Sequence, residues 1–141
     1  MTINTTCTCT ILYIMSKKGE VSRKEAHELV FLVRERVRIP LPLPFVRTND
    51  TVFSEPLQRL LNSLVEKGLI EKKTEYVNGR IVVRYRLTSK GRSTISLFMP
   101  DANIREAIDT VLAEEDVGKA VDEHIREVSG FRTAKQVMEK L

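Results

Sequence analysis

The sequence predicts a mainly α chain carrying one small two-stranded β-hairpin, an α+β class. Three observations predict it. The pair Asn78-Gly79 lies between two runs of alternating apolar and polar residues, the pattern of a tight hairpin. Upstream, Leu57, Leu60, Leu61, Leu64 and Val65 repeat at helical spacing between Ser54 and Gly68. Downstream, Ile104, Ala107, Ile108, Val111 and Leu112 form one further helical stripe, and Val117, Val121, His124, Ile125 and Val128 form another.

In chain order, a first helix is expected from about Thr5 to Lys17, with Cys7, Ile11, Ile14 and Met15 on one face and Gly19 ending it. Glu20-Val21 has room for a very short strand. Ser22 followed by Glu25 has the capping-box spacing, and Ala26, Leu29, Val30, Val33 and Val37 share a face. A second helix therefore runs from Arg23 to about Val37, with Phe31 off its stripe and free to contact something on a second side. The alternating prolines at 40, 42 and 44 exclude a helix and predict an extended connector, followed by the turn-prone Thr48-Asn49-Asp50. Ser54 is a suitable N-cap for the third helix, about 55–67, and Pro56 is tolerated in its first turn.

With Asn78-Gly79 at the tip, hairpin partners run from Val77 with Arg80 to Ile70 with Leu87. One face then carries Ile70, Tyr76, Ile81, Val83, Tyr85 and Leu87. The other carries Glu71, Lys73, Glu75, Arg80, Arg84 and Arg86. A slip of one residue would turn the arginines into the core, so the register is strongly determined. Glu71 faces Arg86 favourably. Lys73 faces Arg84, a like-charge pair that an anion nearby would ease. Thr88 caps a fourth helix, about Ser89 to Phe98, that Pro100 closes. Phe131, Val137, Met138 and Leu141 end the chain, with Thr133 as a cap.

The 141 residues are 42% hydrophobic and 30% charged, enough for a core and a well-solvated surface. The first hundred residues hold 17 Lys and Arg against 9 Asp and Glu, and the remainder 6 against 10. A basic first part at +8 and an acidic tail at −4 predict a polyanion partner for the former. No run approaches the roughly 20 apolar residues of a membrane span, and the start lacks a signal-peptide pattern, so no membrane association and a cytoplasmic location are expected. Cys7 and Cys9 make neither a disulfide framework nor a zinc site, and His27 and His124 are far apart in sequence. Buried small side chains and ordinary surface histidines are the expectation, with His124 as a partly buried packing residue. No phosphate loop, paired metal ligands or serine elbow is present, so neither enzymatic activity nor a cofactor is expected.

The order helix, short strand, capped helix, third helix, hairpin, helix resembles the winged-helix variant of helix-turn-helix proteins. The run from Leu57 to Ile70 resembles a recognition helix passing through Gly68 and Leu69-Ile70 into a wing, and Asn78-Gly79 resembles the wing tip. Leu87-Thr88 followed by Gly91 is similar to the Leu-Thr-x-x-Gly step of transcriptional regulators of the PadR and MarR kinds. The likeness covers about residues 5–98. It departs from those families in the roughly sixteen-residue connector between the second and third helices; a weaker resemblance is to winged-helix antitoxins, in which a longer connector precedes a similar helix.

The resemblance implies a DNA-binding domain at 1–99, a helical extension at 100–141 that forms a homodimer, and a function as a regulator binding double-stranded DNA. Its third helix would enter the major groove and its wing would lie on the backbone. Arg59 and Asn62 have the chemistry for base edges, and Gln58 and Ser63 for base or phosphate hydrogen bonds. Lys72, Lys73, Asn78, Arg80, Arg84 and Arg86 of the hairpin, with Arg47 of the connector, are the expected backbone contacts. The rival expectation is a protein-docking module or antitoxin-like component, for which Phe31 and the apolar tail would offer the partner surface.

Overall fold

A computed structural model describes residues 3–36, 41–48 and 51–128, with the side chains of residues 3, 4 and 128 left aside. Among the described residues, six helices and two small antiparallel sheets make an α+β structure. Val37, the tip Asn49-Asp50 and the expected tail residues Phe131, Thr133, Val137, Met138 and Leu141 lie outside the described residues.

Helix α1 (Ile3–Lys18) ends at Gly19, whose φ of +84° is a left-handed conformation that glycine adopts without steric cost. The expectation of one apolar face is too narrow here. Cys7, Cys9, Thr10 and every residue from Ile11 to Met15 are buried, because hairpin and helices enclose α1 from several sides. Burial pushes the Cys7 and Cys9 thiols up from their ordinary pKa.

Strand β1 (Glu20–Ser22) leads into α2 (Arg23–Arg36). The capping box forms at this junction: the Glu25 N–H donates to Ser22 Oγ at 3.1 Å, and the Ser22 N–H donates to Glu25 Oε1 at 3.2 Å. Helix α2 is the central element, with Ala26 to Val33 buried without a break. Phe31 is covered by the chain itself, edge-on to Phe45 at 5.4 Å and to His124 at 5.8 Å. It is thus unavailable as the partner contact considered above.

The connector does more than span a gap. Leu41 and Leu43 are buried while Pro42 and Pro44 face out, an alternation that extended backbone produces. The Arg34 guanidinium donates to the Leu43 carbonyl at 2.6 Å. Strands β2 (Val46–Arg47) and β3 (Val52–Phe53) then form a small hairpin against α2.

Ser54 caps α3 (Glu55–Glu66), accepting from the Leu57 N–H at 3.2 Å, and Gly68 follows with φ +75°. Leu57, Leu61 and Leu64 enter the core. Strands β4 (Ile70–Val77) and β5 (Arg80–Leu87) pair in the expected register from Val77 with Arg80 to Ile70 with Leu87. Asn78 and Gly79 both have positive φ, as a type I′ turn requires. The sheet order is β1-β5-β4, with Val21 opposite Tyr85. Only the base of the hairpin's apolar face is buried: Ile70, Tyr85 and Leu87 are in the core, whereas Tyr76 and Ile81 are 77% and 63% exposed. Tyr76 and Ile81 pair near the tip of the hairpin, away from its buried base.

Helices α4 (Ser89–Leu97), α5 (Ala102–Leu112) and α6 (Val117–Val128) are the last of the described elements. Ile104, Ile108, Val111, Ala120 and Val121 join the same buried cluster as α1 and α2. Tyr13 donates to Asp109 Oδ1 at 3.2 Å, and Arg36 pairs with Glu114 at 2.8 Å. The stripes expected to serve a dimer contact are therefore occupied within the chain as far as Ile125. No helix among the described residues is long and apolar enough to cross a membrane.

Candidate nucleic-acid interface

Two elements carry the candidate residues, α3 and the β4–β5 hairpin. The stripe of leucines on α3 leaves Arg59 and Asn62 exposed and Ser63 half-buried, with Glu66 exposed nearby. Arg59 lies 3.6 Å from Glu55 one turn earlier, a pair open to water and weak for that reason.

Gln58 is a correction. It flanks the leucine stripe and turns inward, where its amide is fully engaged. Its Oε1 is 3.0 Å from His27 Nε2, and its Nε2 donates to Tyr85 Oη at 3.0 Å and to Asn62 Oδ1 at 3.1 Å. Arg23 Nε donates to the same Tyr85 oxygen at 3.3 Å. Gln58 thus ties α3 to α2 and β5, and offers no free group to a partner.

His27 is also a correction to the expectation of a surface histidine. It is only 1% exposed and its ring stacks on Phe53 at 4.6 Å. The Ser54 N–H donates to His27 Nδ1 at 3.1 Å, so Nδ1 is the acceptor and Nε2 carries the hydrogen given to Gln58. Burial holds the ring's pKa below its ordinary value; the Gln58 bond opposes this and nearby Arg23 reinforces it. Protonating Nδ1 would remove the acceptor for Ser54, the residue that caps α3. In the unfolded chain the ring binds a proton below about pH 6.5, whereas in the folded chain it does so only at lower pH. The contribution of neutral His27 is therefore complete above about pH 6.5 and is lost as pH falls through the folded pKa. Unfolding free energy measured by urea between pH 7.5 and 5 should fall more steeply for the unaltered chain than for His27→Gln. Parallel curves would show that His27 does not carry this dependence. Glu28, whose buried carboxyl is pushed up in pKa and accepts from Thr51 Oγ1 at 2.9 Å, is present in both chains and cancels.

On the hairpin, Lys72, Lys73, Asn78, Arg80 and Arg86 are exposed and Arg84 is half-buried. The juxtaposition of Lys73 and Arg84 is resolved inside the chain. Glu75 reaches both, 3.1 Å from Lys73 Nζ and 3.7 Å from Arg84 Nε. Arg86 pairs with Glu71, its cross-strand neighbour. All of these are surface pairs, held by about 0–1 kcal/mol each and exchangeable for a stronger anion. Arg80 has no carboxylate partner among the described residues. Arg47 is engaged elsewhere: it pairs with Asp122 of α6 at 2.6 Å and fastens the β2–β3 hairpin to that helix.

Two cationic groupings went unnoticed in the sequence. Arg86 shares a shallow groove with Lys90 and Arg92 at the start of α4. Arg23, at the first turn of α2, shares a cleft with Arg80 of the hairpin tip. The first is compact in sequence, whereas the second has no local signal, because Arg23 and Arg80 are far apart in the chain and the β1–β5 pairing brings them together. No cluster of three or more His, Cys, Asp or Glu side chains suited to a metal ion occurs among the described residues.

Compared with known proteins, the chain matches no family model and no curated protein sequence. Its function is therefore argued from its own surface.

Proposed function

We propose that the chain is a winged-helix regulator that binds double-stranded DNA, with α3 in the major groove and the β4–β5 hairpin as a wing on the phosphate backbone. The observation that carries this reading is the set of cations on one hairpin face, Lys73, Arg80 and Arg86 exposed and Arg84 half-buried, next in the chain to a helix exposing Arg59 and Asn62. The pairing of Lys73, Arg84 and Arg86 with Glu71 and Glu75 is compatible with the reading only in so far as such surface pairs yield to phosphate, a denser anion. Arg59 and Asn62 then read base edges, Ser63 and Asn78 add polar contacts, and the hairpin cations fix position without reading sequence. Gln58 supports α3 from behind. A regulator of this kind works in the cytoplasm.

Selection of bound sequences from a random duplex library tests the proposal. Arg59→Ala or Asn62→Ala should relax the preference at one or two positions, at about 1–3 kcal/mol of lost discrimination each. Enrichment of no sequence, or an unchanged preference in both variants, would remove α3 from the interface.

A homodimer belongs to the same proposal. Since the stripes of α5 and α6 are used within the chain, the dimer contact is assigned to the last residues, which bear Phe131, Val137, Met138 and Leu141. Ending the chain at Val128 should give a folded monomer by light scattering. A dimer that survives this truncation places the contact elsewhere. Truncation at Pro100, by contrast, would strip Ile104, Ile108 and Val111 from the core and test only folding.

A further inference from the structure

Strand β5 pairs with β4 along its whole length but with β1 only at Arg84, Tyr85 and Arg86. Strand β1 stops because the chain enters α2 at Arg23, where the Ser22–Glu25 box turns the backbone into the helix. From Arg80 to Val83 the far edge of β5 has no strand beside it among the described residues. In a hairpin closed by a two-residue turn, the flanking residues Val77 and Arg80 bond to each other. The N–H and C=O groups of Ile81 and Val83 then point away from β4, toward the open edge. The Val83 carbonyl faces the Arg23 N–H that closes the Ser22–Arg84 pairing, so the edge groups left over are the N–H and C=O of Ile81 and the N–H of Val83.

A cleft of about 450 Å³ lies against this edge. All four residues from Arg80 to Val83 line it, although their side chains alternate between the two faces of the hairpin. A cleft that touches every successive residue follows the edge of the strand, not one of its faces. Val52 and Phe53 of β3 line it as well and give it an apolar wall. Arg23 and Arg80 supply positive charge, and neither has a carboxylate partner among the described residues.

We propose that this edge is a docking site for an extended acidic peptide segment, which adds to the sheet as a strand where β1 stops. An extended segment fits better than a compact anion because the free groups are backbone donors and an acceptor at Ile81 and Val83, roughly 7 Å apart along the strand. Apolar side chains of the segment lie against Val52, Phe53 and Ile81, and its carboxylates meet Arg23 and Arg80. The inference shares Arg80 with the nucleic-acid reading but does not rest on it, since it concerns the edge of β5 and needs no contact from α3.

The test is a titration of the full, isotope-labelled chain with a blocked hexapeptide of alternating valine and aspartate, followed by amide NMR. Two control peptides carry lysine for aspartate, or N-methyl groups on the amides that would face β5. Saturable binding should slow exchange of the Ile81 and Val83 amides by at least about tenfold, and both controls should bind at least about tenfold more weakly. Ile81→Pro, which removes one outward donor without touching a bond to β4, and Arg80→Gln should each weaken the parent peptide severalfold. Equal binding of the N-methylated and parent peptides would reduce the effect to charge attraction and overturn strand addition. So would perturbations centred away from β5, or no saturation at millimolar peptide.

Discussion

Replacing Gly91 with alanine is expected to cost about 2–3 kcal/mol or more of folding free energy, despite the better helix propensity of alanine. A Cβ at this position would lie deep inside contact distance of the Leu69 carbonyl oxygen and 2.7 Å from Leu87 Cδ1. The carbonyl cannot easily retreat, because it accepts from the Thr88 N–H at 3.1 Å and from Thr88 Oγ1 at 3.0 Å. Thr88 in turn caps α4 by accepting from the Gly91 N–H at 3.0 Å. The start of α4 is thus pressed on the Leu69 backbone through the one residue without a side chain. That is a physical reason for glycine three residues after the threonine. Most domains hold only about 5–15 kcal/mol in total, so the loss should appear as a large fall in the urea midpoint. A variant as stable as the parent would mean that α4 sits farther from Leu69 than described.

The second large effect concerns binding. Changing Lys73, Arg80, Arg84 and Arg86 together to serine should lower affinity for random-sequence duplex by about 10³-fold near 0.1 M salt. It should also flatten the logarithmic salt slope by roughly 3.6, about 0.9 for each phosphate no longer neutralised. All four lie on the polar face of the hairpin, and their pairs with Glu71 and Glu75 are surface pairs, so the fold should survive. Glu75→Gln should act in the opposite direction, since Lys73 and Arg84 would no longer share an internal carboxylate. If the fourfold variant binds like the parent, the hairpin is not the wing of a DNA-binding protein.

The hairpin and the caps were legible in the sequence because their determinants are local. Asn78-Gly79 fixes the turn, period-two alternation fixes the register, and Ser22, Ser54 and Thr88 begin helices at the expected places. The elements buried on several sides were less legible. Helices α1 and α2 read as one-faced, but hairpin and C-terminal helices surround them and remove the polar side that periodicity looks for. Gln58 and His27 illustrate the same limit: a polar residue beside an apolar stripe can face water or a buried partner 31 positions away, and spacing alone does not distinguish them. The weak β2–β3 pairing is only two residues deep and follows a proline-rich run, so propensity gives no warning of it. For the candidate interface, the identity of the hairpin cations was readable. Their distribution among internal carboxylates was not, because Glu75 reaches across the strand to Arg84 as well as along it to Lys73.

The most direct measurement is the affinity of the unaltered chain for random-sequence duplex at 50 and 200 mM salt. With about four phosphates neutralised per chain, affinity should drop by about 10²-fold between the two conditions. No binding at the lower salt, or the same affinity at both, would contradict the account at its centre.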